Sequence, residues 1–199
     1  MGPVRFKETT QAMMTRTAKL LLVAGIAFFY LLVVFNNLTD FDSNYQFVRH
    51  VLSMDSTFPA NHGLWRAVTT PGLHFAFFVG IIAWEMATTI LLLWGAVRLF
   101  RGLRSPAASF NAAKRLAILA LATSMLMWLV AFLSVGGEWF LMWQSHTWNG
   151  QEAAFRMFAS ADCELSPARL VKSHLVQPGL PALPSFSFGL ALGVGWSGR

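Results

Sequence analysis

The chain has 199 residues, of which 12% are charged and 55% hydrophobic, and its formal net charge is +6. Soluble domains are about 25% charged, so this composition offers too few polar residues to cover a soluble fold of this size. The apolar residues form long blocks and most basic residues flank them, which indicates a membrane protein and argues against a nucleic-acid partner.

Three apolar blocks predict three transmembrane helices in an all-α membrane protein. The first covers about residues 18–37, and its strictly apolar part is shorter than a hydrocarbon core of about 30 Å, so Lys19 must extend it by snorkelling. The second covers about 73–97 and is interrupted by one acidic residue, Glu85. The third covers about 116–135 and carries no charge.

The basic residues are distributed unevenly between the connections. The N-terminal arm has four Lys and Arg residues, the first loop has two and the short second loop has five. Because cytoplasmic loops carry the excess of positive charge, this pattern predicts a cytoplasmic N-terminus and second loop, with the first loop outside.

The outer loop, residues 38–72, is long for a connection within a bundle and is expected to contain structure of its own. Asp42 or Ser43 could cap a short helix, and the residues after them alternate with helical spacing. This pattern predicts an amphipathic helix suited to the membrane interface. Its apolar positions are Tyr45, Phe47, Val48, Val51, Leu52 and Met54.

An aromatic segment follows the third span. Trp139, Trp143 and Trp148 lie within ten residues of one another, as in the aromatic belt at a membrane surface. A further helix is predicted to begin near Gln151.

Four segments carry a family resemblance; they read VVFNNLTDFDSNYQFVRHVLSMDSTFP, IIAWE, NAAKRLA and GGEWFLMWQSHTWNGQEAAFR. Together they resemble the bacterial DUF2165 family of predicted small integral membrane proteins, over about residues 18–158. The resemblance implies a multi-pass, four-helix protein of the bacterial inner membrane whose last helix begins near Gln151. It brings no activity, no cofactor and no catalytic residue.

The chain departs from the family pattern after Phe158. The family would continue into an apolar fourth helix, whereas residues 159–199 form an atypical segment rich in Pro and Gly, without an apolar window of 18 residues between 159 and 180. The fourth helix is therefore predicted to be degraded or replaced. A frameshift is one explanation and natural divergence is the other; an apolar run in another reading frame of the coding DNA would identify the frameshift.

Glu85 is the main intramembrane polar candidate. An ionised carboxylate in the middle of a span costs roughly 2.5 kcal/mol or more, so the side chain should face the bundle and be protonated or hydrogen-bonded. Thr88 and Thr89 lie within about one turn, and Thr123 and Ser124 on the third span are further candidate partners. The functional interpretation is a proton relay or a ligand contact, and the structural one is an inter-helix hydrogen bond.

Acidic and histidine residues on the outer face form a second candidate set. Asp40, Asp55, His74 and Glu138 belong to it, but no HExxH or similarly tight spacing fixes a geometry, so no metal site is expected. No histidine lies deep in a span, which argues against haem, and no cofactor is expected. The single cysteine, Cys163, excludes a cysteine-based metal cluster.

Two classes of function remain open. The first is a non-enzymatic accessory or scaffold component of a membrane assembly, with the lipid bilayer and an unidentified membrane protein or a second copy as partners. The second is a small proton-coupled transporter or carrier centred on Glu85, which would require a homo-oligomer because a few spans leave little room for a pathway. An enzyme is a weaker third, since only the scattered acid and histidine set supports it.

Overall fold

The computed structural model of the chain describes the backbone of residues 3–165 and the side chains of residues 10–159. Within that part the fold is all-α, as predicted. Two short 3₁₀ turns, Leu64–Arg66 and Met142–Gln144, lie in the connections. The α-helices are α1 (Pro3–Thr39), α2 (Phe41–Ser53), α3 (Pro71–Gly102), α4 (Ala107–Leu126) and α5 (Gln151–Leu165).

Three helices in the described part of the chain are long and apolar enough to cross a membrane, which confirms the predicted number of spans. They are Thr10–Thr39, Pro71–Gly102 and Ala107–Trp139, with 30, 32 and 33 residues. Each exceeds the roughly 20 residues that a bilayer core requires. The helices continue beyond the apolar blocks because flanking residues such as Arg98 and Arg101 are also good helix formers.

The third span changes its hydrogen-bonding pattern half-way. After α4, the 13 residues Met127–Trp139 form a π-helix. The i to i−5 spacing is visible where the N–H of Phe140 donates to the carbonyl of Val135 at 3.0 Å. Most π-helices are single-turn bulges, often at functional sites, so this long segment is unusual. The hydropathy pattern predicts the span but not this change.

At one end of the bundle, here called the basic end, α1, α3 and α4 pack closely. Gly95 on α3 lies so near Ala117 on α4 that a Cβ at Gly95 would be 3.1 Å from the Cα of Ala117. Arg16 on α1 donates from Nη1 to the carbonyls of Leu103 and Ser105, at 2.8 and 2.7 Å. These bonds tie α1 to the turn between α3 and α4. The basic side chains that give this end its name are Arg16, Arg101, Arg104 and Lys114.

The opposite end, here called the Trp-rich end, is covered by α2 and the loops. The amphipathic pattern predicted in the first loop forms α2, which buries Val48, Val51 and Leu52. These side chains pack in one cluster with Phe78 and Ile82 of α3. The tryptophans that give this end its name are Trp65, Trp139, Trp143 and Trp148.

α5 begins at Gln151, where the family resemblance places a last helix. Ala154 of α5 is fully buried in the cluster formed by the three spans. Within the described part of the chain this helix has 15 residues. The Pro- and Gly-rich segment predicted at the C-terminus lies outside the described residues from residue 166 onwards.

Candidate functional site

Glu85 lies on α3 inside the bundle and is only 2% exposed. Asn37, near the end of α1, donates from Nδ2 to Oε2 of Glu85 at 2.6 Å. Asn37 is itself 9% exposed, so this bond between two spans is shielded from solvent and lipid. An amide can donate to a carboxylate or to the carbonyl oxygen of a carboxylic acid, so the contact is compatible with both protonation states.

The four candidate partners do not bond to the carboxyl group of Glu85; Thr88, Thr89 and Ser124 are buried, and Thr123 is half-buried. Thr89 donates to the main-chain carbonyl of Glu85 at 2.7 Å, rather than to its carboxyl group. The hydroxyl of Thr88, a fully buried residue, has no hydrogen-bond partner among the described residues. Ser124 donates to the hydroxyl of Tyr30 at 2.8 Å, and Thr123 donates to a carbonyl of its own helix.

The Tyr30 contact extends the polar site to a third span. Tyr30 on α1 is 1% exposed, and its bond with Ser124 joins α1 to α4. The indole of Trp84, next to Glu85 on α3, donates to the carbonyl of Thr123 on α4 at 3.2 Å. Hydrogen bonds therefore connect every pair of the three spans. The residues of this polar cluster are Tyr30, Asn37, Glu85, Thr88 and Ser124.

The sequence analysis named neither Tyr30 nor Asn37 as a candidate, although Asn37 is the last residue of the predicted first span, 18–37. A signal was present, because the two residues are seven positions apart and so share one helix face. The buried apolar residues of α1 lie on the same face: Val23, Ala27 and Val34.

The candidates on the outer face do not converge. Asp40 and Glu138 are exposed, and Asp55 contacts His50, with 2.7 Å between Oδ2 and Nδ1. His74 is buried and donates from Nε2 to a loop carbonyl at 2.6 Å. Among the described residues, no group of three His, Cys, Asp or Glu side chains could hold a metal ion.

An apolar pocket of about 500 Å³ lies between α2, α3 and the π-helix. Its walls include Val48 from α2, Phe77 and Gly80 from α3, and Val130 and Phe140 from or next to the π-helix. No charged side chain lines it. The volume is within the range of about 300–1,000 Å³ typical of small-molecule sites. This pocket could not be predicted from the sequence, because its width depends on how α3 and the π-helix diverge.

Arg66, at the Trp-rich end, contacts the residue that precedes the pocket-lining Phe140. Its guanidinium is between the rings of Trp65 and Trp139, at 5.3 and 5.2 Å from their centroids. Nη1 donates to the carbonyl of Trp139, the residue before the pocket-lining Phe140, at 3.2 Å. The buried Nε has no hydrogen-bond partner among the described residues.

Comparison with curated proteins and with solved structures gave no match. A family model described as DUF2165, predicted small integral membrane protein, matches residues 15–165. The match includes almost all of the three spans, the whole of α2 and α5, and both partners of the Asn37–Glu85 bond. The chain therefore belongs to the DUF2165 family of small integral membrane proteins.

Proposed function

We propose that the chain is a non-enzymatic accessory or scaffold component of a membrane assembly. The observation that carries the proposal is the Asn37–Glu85 hydrogen bond. This bond uses the most strongly polar side chain within the spans, that of Glu85, to connect α1 and α3. A buried carboxyl group that holds two helices together is not placed to react with a substrate.

The aromatic surface of the Trp-rich end supports a binding role. Trp65 is 73% exposed, and Trp139 and Trp143 are about half exposed. Exposed aromatic side chains are common both in membrane-interface belts and as anchors in protein interfaces. The basic end carries the positive charge that is typical of a cytoplasmic face, which supports an inner-membrane protein with a cytoplasmic N-terminus.

A tagged pull-down from gently solubilised membranes tests this proposal. We expect a defined set of membrane proteins to co-purify with the chain and to be reduced by Trp65→Ala. Trp94→Ala is the matched control, because Trp94 is 56% exposed but lies within a span, away from the Trp-rich end. A chain that migrates alone as a homo-oligomer would contradict the accessory function.

A small proton-coupled carrier centred on Glu85 is the second candidate. One observation favours it: the bonded partner of the buried carboxyl group is a neutral amide rather than a cation. No cation among the described residues is bonded to this carboxyl group, and the amide of Asn37 can donate to its acid form as well as to its carboxylate form, so a proton can be taken up and released without breaking this contact. The test is proton flux into vesicles that contain the purified chain. Glu85→Gln retains an acceptor for Asn37 but cannot titrate, so a carrier would lose its flux while remaining folded.

A further inference from the structure

We propose that the pocket between α2, α3 and the π-helix holds one acyl chain of an anionic phospholipid whose phosphate contacts Arg66. This site goes beyond the accessory function and does not depend on it. Its support comes from the depth of the pocket, its lateral opening, its length and the cation beside it.

The pocket lies at the level of the membrane, where lipid acyl chains are available to fill it. Two of its walls, α3 and the π-helix, belong to candidate transmembrane spans. Its lining is almost entirely apolar, so the pocket offers few of the polar partners that an ordered water needs. An empty space of this size would leave the lining side chains without van der Waals contacts. A hydrocarbon chain from the surrounding bilayer needs no polar partner and supplies the missing van der Waals contacts.

The pocket also opens sideways to the bilayer. Leu73 and Phe77 of α3 and Val130 of the π-helix line it, and they are 48%, 45% and 41% exposed. Gly80 completes the opening, because no atom lies within 4 Å of the position a Cβ would take there. An acyl chain can therefore enter between α3 and the π-helix without separating them.

The length of the pocket fits one leaflet. On α3 the lining extends from Leu73 to Trp84, eleven residues apart, which is about 16 Å at ~1.5 Å per residue. Half of a hydrocarbon core of ~30 Å is about 15 Å. The pocket therefore spans the depth that a single acyl chain occupies, with its upper end at the Trp-rich loops.

Arg66 supplies recognition of the headgroup. A guanidinium has five N–H donors and binds phosphate oxygens in a bidentate manner. Arg66 uses one donor for the carbonyl of Trp139, and no carboxylate among the described residues forms an ion pair with it. Because Trp139 and Arg66 hold each other next to Phe140, the cation lies close to the upper end of the pocket. An acyl chain bound in the pocket would place the phosphate of its lipid within reach of the Arg66 guanidinium.

Photo-cross-linking tests the site. The full chain is reconstituted in phosphatidylcholine nanodiscs that contain a small fraction of phosphatidylglycerol with a diazirine in one acyl chain. A phosphatidylcholine probe with the same chain is used in parallel. After irradiation, labelled peptides are mapped by mass spectrometry. We expect labels on the pocket-lining residues of α3 and the π-helix, with phosphatidylglycerol labelling them about fivefold more than phosphatidylcholine.

Two variants distinguish binding of the acyl chain in the pocket from recognition of the lipid headgroup by Arg66. Gly80→Leu places a side chain into the pocket and should remove most of the labelling there. Gly25→Leu is its control, since Gly25 also has open space around it but does not line the pocket. Arg66→Gln should retain pocket labelling but lose the preference for phosphatidylglycerol, whereas Arg49→Gln, at an exposed position on α2, should retain both.

Three results would overturn the proposal. Labels spread evenly over the lipid-facing residues of all spans would mean that the pocket is not a site. Pocket labelling that persists in Gly80→Leu would mean the same. Equal labelling by the two probes would overturn the anionic assignment. None of these results bears on the pull-down, so failure of this proposal and failure of the accessory function remain distinguishable.

Discussion

At both ends of the bundle α3 lies beside the third span, but the two helices are close together at one end and apart at the other. At the basic end, Gly95 of α3 approaches the backbone of Ala117 on α4. At the Trp-rich end, α3 and the π-helical continuation of α4 diverge and leave a pocket of about 500 Å³. Small residues allow helices in a bilayer to approach backbone to backbone, whereas large side chains keep them apart. The pocket lies where large side chains such as Trp84 and Phe132 alternate with small residues such as Gly80, so the helices are held apart and space remains between the large side chains.

Gly95→Leu should break the close packing of the basic end and have the largest effect. Overpacking a tightly filled site costs about 1–3 kcal/mol, and here the obstacle is backbone, which cannot move aside easily. We expect unfolding at a clearly lower SDS fraction in mixed micelles. Gly25→Leu, made in open space, is the control. Equal stability of the two variants would show that α3 and α4 are not in close contact at Gly95.

Arg16→Met should loosen the basic end by a smaller amount. It removes two hydrogen bonds from a charged donor to the turn between α3 and α4, as well as the contact with the Phe110 ring at 4.8 Å. Hydrogen bonds of this type contribute about 1.5–3 kcal/mol when shielded, and Arg16 is half-buried, so we expect about 1.5 kcal/mol in total. The same SDS titration measures it. An effect no larger than that of Arg49→Gln would contradict the prediction.

Breaking the Asn37–Glu85 pair should have the smallest effect on stability, and the pair lies between the closely packed region and the pocket. Glu85 follows the pocket-lining Trp84 and precedes Gly95 by ten residues. Hydrogen bonds between transmembrane helices average about 0.6 kcal/mol in double-mutant cycles and reach about 1.7 kcal/mol. We expect a coupling in this range between Asn37→Leu and Glu85→Leu. A coupling of zero would mean that the bond does not stabilise the bundle.

These features differ in how far the sequence could predict them. The three spans follow from the length of the apolar blocks, and the buried position of Glu85 follows from the cost of exposing a carboxylate to lipid. The partner of Glu85 depends on the relative depth and rotation of α1 and α3, which hydropathy does not encode. Thr88, Thr89 and Ser124 are close in sequence or on the expected face, yet Asn37 makes the bond to the carboxyl group.

The existence of the pocket could not be predicted from the sequence for a related reason. The apolar content of Met127–Trp139 is the same whether its N–H groups bond to the fourth or the fifth preceding carbonyl. The pocket lies beside that π-helical segment, and its shape depends on the path that the segment takes relative to α3. The composition of the lining could be read from the sequence, but its concave shape could not.

The π-helix also allows this space to be changed by single-residue changes in the length of the span. A segment with i to i−5 bonding holds about one residue more per turn than an α-helix, so removing one residue lets one of its turns return to ordinary i to i−4 bonding without leaving a gap in the backbone. The helix after the deletion keeps almost its present direction, because a π turn and an α turn each complete one revolution. Within the converted turn the side chains are redistributed, so the wall that Val130 and Phe132 contribute to the pocket changes while the span continues to cross the membrane. Single-residue length changes within 127–139 are therefore expected to alter what the protein binds before they alter whether it folds.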